Sequence, residues 1–304
     1  MDNSPTAVTQ CSPFTVDLHC HSTASDGALT PSVLVQRAHE RGIKVLALTD
    51  HDTLKGIAEA RQAGEALGVQ LVNGIELSCS WNSTTIHVLG YDFALDAPAL
   101  NALVDRLQDG RWQRAQKIAD RLAAKGMPDT LDGARAVQAE LGEHDQPPAR
   151  PHFAEHLVRA GHVRDHGEAF NKWLGAGKIG DVKQFWPEFG EVMQVLGEAN
   201  AWISLAHPNH YNFTRSKRRR LVQDFKEQGG HAIEVSNGLQ PAEQVGTLSV
   251  MAREFGLEIT AGSDFHAPRT WSELGLYRAP ADDLTPLWHR FSLYGSMVEP
   301  VAGV

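Results

Sequence analysis

With 304 residues and a formal net charge of −9, the chain is long enough for one large α/β domain carrying an insertion, and it is a poor non-specific binder of polyanions. Its longest apolar runs, such as Val45–Leu48 and Ile203–Ala206, are strand-sized and fall far short of the roughly 20 residues of a spanning helix, so no membrane partner is expected. The start, Met1–Pro5, lacks a basic segment followed by an apolar one, and Cys11, Cys20 and Cys79 form no C-x-x-C pair; a cytoplasmic, reducing location is expected.

Short strand-like runs recur along the chain, at 14–19, 45–49, 70–72, 85–90, 202–206, 232–235 and 258–261, each followed by a helical pattern. Such alternation predicts parallel βαβ units, hence an α/β barrel or open sheet. Thr30 and Pro31 mark a helix start that Gly42 ends, and the helical patterns from Lys55 to Leu67 and from Pro241 to Phe255 each stop at a glycine, Gly68 and Gly256. The region 98–197 is different. It has almost no strand signal, is rich in Ala, Arg, Leu and Gln at helical spacing, and breaks at Gln146-Pro147-Pro148 and Gly175-Ala176-Gly177-Lys178. It reads as a helical cap inserted between a first barrel part, 14–97, and a second, 198–292.

The chemistry sits at the strand ends. In Asp17-Leu18-His19-Cys20-His21 alternate residues share a face, so His19 and His21 project together and can hold one metal ion, while Asp26 follows in a turn. Later segments carry Asp50-His51-Asp52, Glu76, His87, His207 and Asp264-Phe265-His266. Any one of these alone is more often a hydrogen-bonded structural residue. Six strand segments bearing such residues, most at the C-terminal end where parallel α/β folds place their sites, point instead to a multinuclear metal centre.

These motifs, His19-x-His21 with Asp26, Thr49-Asp50-His51, Gly74-x-Glu76, Ala206-His207-Pro208 and Ser263-Asp264-x-His266, resemble those of the polymerase and histidinol phosphatase (PHP) family of the amidohydrolase-like superfamily. The resemblance implies a distorted (β/α)7 barrel with the helical insertion as cap, and two or three metal ions. By the same resemblance His19, His21, Glu76 and Asp264 hold one ion and Asp26, His51 and His266 a second, with Glu76 bridging to a third held by His87 and His207. Manganese is favoured on family grounds, with zinc and iron as alternatives that the imidazoles also suit.

Clustered divalent ions suit hydrolytic phosphoryl transfer by a metal-bridging hydroxide. His207 and Asp264 are the expected catalytic residues, His207 as proton donor to the leaving oxygen. Neither a G-x-S-x-G elbow nor a Cys-His arrangement supports a covalent nucleophile.

Asp26-Gly27, His87-Val88-Leu89-Gly90-Tyr91, Arg150-Pro151-His152 and His207-Pro208 with Tyr211 resemble the TrpH/YciV-type phosphoesterases. That resemblance implies removal of the 3'-phosphate from nucleoside 3',5'-bisphosphates such as adenosine 3',5'-bisphosphate. The alternatives are 5'-to-3' exonuclease action on short 5'-monophosphorylated RNA and a histidinol-phosphate-type phosphatase. A nucleotide with a 5'-phosphate needs a cationic grip, for which Arg150 is the first candidate and Lys178 the second; Asn237 is a candidate contact to ribose or phosphate. The basic run Arg215–Arg220 reads as a solvated helical turn, His152 and His156 as structural or substrate-contacting, and Asp50 and Asp52 as supports of the ligands.

Overall fold

The computed structural model describes residues 15–141, 146–182 and 186–292. Met1–Phe14, including Cys11 and the start of the first expected strand, lie outside the described residues. Seven strands form one sheet in chain order: β1 (Val16–Asp17), β2 (Val45–Leu48), β3 (Gln70–Trp81), β4 (Thr84–Tyr91), β5 (Trp202–Leu205), β6 (Ala232–Asn237) and β7 (Glu258–Gly262). The extended chain after β1 returns to β7 and its continuation: Leu18 N–H donates to the Ala261 carbonyl at 3.3 Å, Asp264 N–H to His19 at 2.8 Å and His21 N–H to Phe265 at 2.9 Å. The sheet therefore closes on itself as a nearly complete barrel, with both faces of its parallel strands buried.

Three helices follow their strands as the punctuation predicts. Thr30 caps α1 (Pro31–Glu40) by accepting from Val33 N–H, and the left-handed glycines Gly68 and Gly256 end α2 (Ile57–Leu67) and, later in the chain, the helix Ala242–Phe255.

The expected helix between the third and fourth strands is absent. β3 is a twelve-residue strand that turns through Asn82 and Ser83, both at positive φ (47° and 59°), straight into β4. β4 is antiparallel to both neighbours, and this hairpin is the distortion of the barrel. The overlooked signal is the alternation Ile75, Leu77, Cys79, Trp81, all in one core cluster, with Glu76 and Ser78 between them lining the cavity on the opposite face.

The span 98–197 divides by its packing. Leu100, Leu103, Val104 and Leu107, from the first half of α3 (Pro98–Ala123), share the barrel core with Phe189, Val192, Met193 and Leu196 of a helix at Phe189–Glu198. The second half of α3 supplies Ala115, Ile118 and Leu122 to a separate core. There it meets α4 (Thr130–Glu140), α5 (Arg150–Arg159), α6 (His166–Ala169) and a π-helical turn at Phe170–Leu174. The cap thus has its own core, from Ala115 to Val182, while one continuous 26-residue helix ties it to the barrel. In chain order the remaining helices are α7 (Phe189–Glu198), α8 (Arg215–Glu227) and α9 (Ala242–Phe255). Among the described residues no helix is long and apolar enough to cross a membrane.

Candidate metal centre and active site

Leu18 and Cys20 enter the core, so the alternation after β1 turns His19 and His21, both fully buried, toward the barrel mouth. Asp17 fixes this segment against the opposite end of the sheet. One of its oxygens accepts the N–H of His19 at 3.2 Å and of Ser263 at 2.9 Å, and the other accepts Gly275 N–H at 2.8 Å. Gly262 allows the approach: a Cβ there would lie 2.5 Å from His19 Cβ and 2.6 Å from its backbone nitrogen.

Glu76 occupies the centre. Its Oε2 lies 3.0 Å from His51 Nδ1, 3.3 Å from His19 Nε2 and 3.4 Å from His21 Nε2. Its Oε1 lies 2.9 Å from His87 Nδ1 and 2.7 Å from His207 Nε2. Asp264 Oδ1 faces His21 Nε2 at 3.2 Å and His19 Nε2 at 3.5 Å, and Asp26 Oδ1 faces His266 Nε2 at 3.5 Å. His87 arrives by a route of its own, projecting from mid-β4 directly opposite Ser78. His207 and Asp264, which follow β5 and β7, both take positive φ (27° and 51°). This sparsely populated conformation, which costs on the order of 1 kcal/mol or more, is held by His207 N–H to Glu234 and Asp264 N–H to the His19 carbonyl.

The donor set fits divalent metal ions. Four groups bring their ligand atoms within 4.8 Å of one another: His21, Asp26, His51 and His266; His19, His207 and Asp264; His19, His21 and Glu76; and His51, Glu76 and His87. His19 Nε2, both nitrogens of His21, His51 Nδ1 and Glu76 Oε2 are buried without a hydrogen-bond partner. Buried polar atoms are costly unless satisfied, and converging imidazole and carboxylate atoms are what a divalent ion satisfies.

The electrostatics show how tightly the groups interact. Burial opposes charge on His19, yet the carboxylates of Glu234, Asp264 and Glu76 outweigh it and raise its pKa well above the ordinary value. Burial wins at His51, whose pKa falls well below the usual imidazole range against the pull of Glu76 and Asp26. Glu76, despite its burial, is held far below the ordinary carboxylate range by His51, His87 and His19.

A further layer orients the ligands. Fully buried Glu234 accepts from His19 Nδ1 at 2.8 Å and from His207 N–H at 2.7 Å. Asn237 lies on the same carboxylate, its Nδ2 3.2 Å from Glu234, which places it beneath the ligands rather than on the cavity wall. Asp50 holds the turn that carries Asp26, accepting from Ser22 N–H at 2.7 Å and from the Ser22 and Ser25 hydroxyls at 2.6 Å. Glu234 was missed by sequence reasoning. An acidic residue between Ile233 and Val235 in an apolar strand was the available signal.

The cluster of candidate ligands opens into a cavity of about 640 Å³ between barrel and cap. Arg150, at the first turn of α5, lines it together with Arg111 and Arg114 from α3 and Trp186. Arg111 donates to Asp52 at 2.6 Å, and the guanidiniums of Arg111 and Arg114 each stand 5.4 Å from the Trp186 ring centroid. Arg114 is buried, with its Nε donating to the Val182 carbonyl at 2.8 Å. Burial, and then the charges of Arg150 and Arg111, push its pKa down to about 9. It stays protonated at neutral pH at a disadvantage that a bound anion would relieve. Lys178 is exposed on its turn and does not line this cavity. His152 accepts from Ala149 N–H and His156 packs on Gly133. In the basic run, Arg219 pairs with Glu254 and Arg218 donates to the Pro208 carbonyl, whereas Lys217 lines the cavity. Arg111 and Arg114 were also missed: their i, i+3 spacing marks one helix face, but only the docking of α3 aims it at the cavity above the candidate ligands.

A barrel whose rim gathers nine His, Asp and Glu ligand candidates beneath a cavity that three arginines line defines a metal-dependent hydrolase acting on anionic substrates. Residues 17–96 match the PHP domain family. The chain is 40% identical over 275 residues, 90% of this chain and 98% of the relative, to a 5'-3' exoribonuclease of Haemophilus influenzae. It is 37% identical over 272 residues, 90% and 93% of the two chains, to a 3',5'-nucleoside bisphosphate phosphatase of Chromobacterium violaceum. A solved amidohydrolase structure from Chromobacterium violaceum with bound sulfate superposes with a TM-score of 0.83 at 36% identity, covering 91% of this chain and 95% of the other. The chain belongs to the PHP family and is a metal-dependent phosphoesterase.

Proposed function

We propose that the chain hydrolyses the bond between phosphorus and the 3'-oxygen of 5'-phosphorylated nucleotides, the simplest substrate being a nucleoside 3',5'-bisphosphate. The observation that carries this reading is the continuity of the cavity from the ligand cluster to Arg111, Arg114 and Arg150. One substrate phosphate then lies at the cluster and a second faces the guanidiniums, whose planar forks match phosphate oxygens.

His19, His21, Glu76 and Asp264 would hold one ion, Asp26, His51 and His266 a second, and His87 and His207, with Glu76, a third; manganese is the family's preference. Such ions, when bound, polarise phosphoryl oxygens and acidify water. The protein's own groups do the rest. Glu234 keeps His19 and His207 oriented and the arginines fix the 5'-phosphate; with only two ions bound, His207 delivers the proton that the departing 3'-oxygen takes up, and with a third it would be a ligand instead.

Two relatives at similar identity bear different substrate names, a bisphosphate phosphatase and an exoribonuclease. The same bond breaks in both reactions. In an RNA one oxygen of the attacked phosphoryl group carries the next nucleoside, so one site accommodates either substrate if the cavity leaves room beyond the metals.

Phosphate release from adenosine 3',5'-bisphosphate, release of mononucleotide from 5'-phosphorylated RNA, and turnover of histidinol phosphate, each with manganese and with zinc, test the reading. Arg150→Ala should raise KM about tenfold or more for the bisphosphate and leave a 3'-nucleotide lacking the 5'-phosphate unaffected. Turnover of histidinol phosphate alone overturns the substrate assignment.

A further inference from the structure

The cavity has a second cationic corner that the bisphosphate reading does not use. Arg111 reaches the cavity wall from the β3 side, beside Ser78, whereas Lys217 of α8 reaches it from the β5 side of the same hairpin. Lys217 Nζ lies 3.3 Å from Thr84 Oγ1, at the start of β4, and 4.1 Å from the Phe213 ring centroid. Its place is set by a firm scaffold. Thr214 accepts from the Lys217 N–H at 3.2 Å, and Arg218 Nε donates to the Pro208 carbonyl at 3.0 Å, bracing the loop that runs on from His207. Thr84, Thr85, Phe213 and Lys217 all line the cavity that holds the metal ligands. Among the described residues no carboxylate pairs with Lys217, although its neighbour Arg219 is paired with Glu254.

We propose that this corner binds the phosphate that follows the scissile one in a 5'-phosphorylated oligonucleotide. The inference rests on the function proposed above and names its larger substrate class. A nucleoside 3',5'-bisphosphate has two phosphates, one for the metal ligands and one for the arginines, and nothing for Lys217. A third phosphate exists only when the chain continues beyond the attacked one. With the 5'-phosphate at Arg150 and the scissile phosphate at Glu76 and its imidazoles, the next phosphate lies across the hairpin, where Lys217 and the Thr84 hydroxyl can donate to it. The step balances without a further reactant: water adds its oxygen to phosphorus, the bond to the 3'-oxygen breaks, and that oxygen takes a proton. The products are a nucleoside 5'-phosphate and an oligonucleotide shorter by one, which again begins with a 5'-phosphate.

The test compares wild type, Lys217→Ala and Lys217→Arg on three substrates: adenosine 3',5'-bisphosphate, a 5'-phosphorylated diadenylate and a 5'-phosphorylated triadenylate. Lys217→Ala should lower kcat/KM about tenfold for the triadenylate, leave the bisphosphate and the diadenylate unchanged, and be rescued by Lys217→Arg. Binding of 3'-dye-labelled triadenylate to the metal-free protein, read by anisotropy, should weaken in Lys217→Ala, and its dependence on log salt should become shallower by about 0.7. Arg150→Ala should impair all three substrates. An equal loss on all three in Lys217→Ala, or none on the triadenylate, overturns the subsite while the function stands. Wild-type protein inert toward all three overturns both.

Discussion

The carboxylate of Glu234 accepts a hydrogen bond from Nδ1 of His19 at 2.8 Å, with both side chains fully buried beneath the ligand cluster. The carboxylate accepts, so His19 carries a proton on Nδ1 and turns Nε2 toward Glu76 and Asp264. The second oxygen of Glu234 takes the backbone N–H of His207 at 2.7 Å, which ties two ligands from separate strand ends to one acid.

Glu234→Gln keeps the shape and removes the charge. Metal affinity should fall about 10- to 100-fold, the cost typical of losing such a partner, while far-ultraviolet circular dichroism stays unchanged. Equilibrium dialysis of the purified protein against manganese, with metal counted by mass spectrometry, measures this. Unaltered stoichiometry and affinity would show that His19 is oriented by packing alone.

Arg114 is a buried guanidinium on which burial and the charges of Arg150 and Arg111 outweigh the attraction of Asp181 and Asp52. Replacing it with methionine removes a buried charge and keeps most of the apolar volume. Without phosphate, Arg114→Met should be more stable than wild type by about 1 kcal/mol, roughly 2 °C in Tm for a chain of this size. Inorganic phosphate should stabilise wild type and not the variant. If Tm drops in the variant and the response to phosphate persists, the arginine is there to hold the Val182 carbonyl and not an anion.

Gly262→Ala tests the barrel's closure. The new methyl would collide with the backbone nitrogen of His19, not with a flexible side-chain end. Overpacking of this kind costs roughly 1–3 kcal/mol, and here it also displaces His19 and the Asp264 N–H that bonds its carbonyl. Thermal unfolding and manganese binding should both suffer. A variant with native Tm and native metal affinity would mean that the two segments have freedom to separate.

Much of the fold and of the metal cluster is legible because both rest on local rules. The alternation at Leu18-His19-Cys20-His21 depends only on strand geometry, and the capping of α1 by Thr30 and the left-handed stops at Gly68 and Gly256 depend on a few neighbouring bonds. The β3–β4 hairpin was less legible because its turn, Asn82-Ser83, lacks the glycine that usually marks positive φ, and the strand expected at 70–72 stops short of the alternating run Ile75–Trp81. Glu234 was illegible as a support because its partners lie 215 and 27 residues away, and a register shift of β6 against β7 occurs between it and Ser236.

The sequence by itself determined that an α/β chain would carry histidines and carboxylates at successive strand ends, because residue order and side-chain period dictate which groups reach the rim. Only the tertiary structure decided which groups share a centre. Barrel closure brings Asp264 to His19, the antiparallel β4 turns His87 onto Glu76, and cap docking aims Arg111, Arg114 and Arg150 into the cavity while leaving Lys178 outside it. Those distances arise from contacts between segments far apart in the chain, whose packing no local pattern encodes.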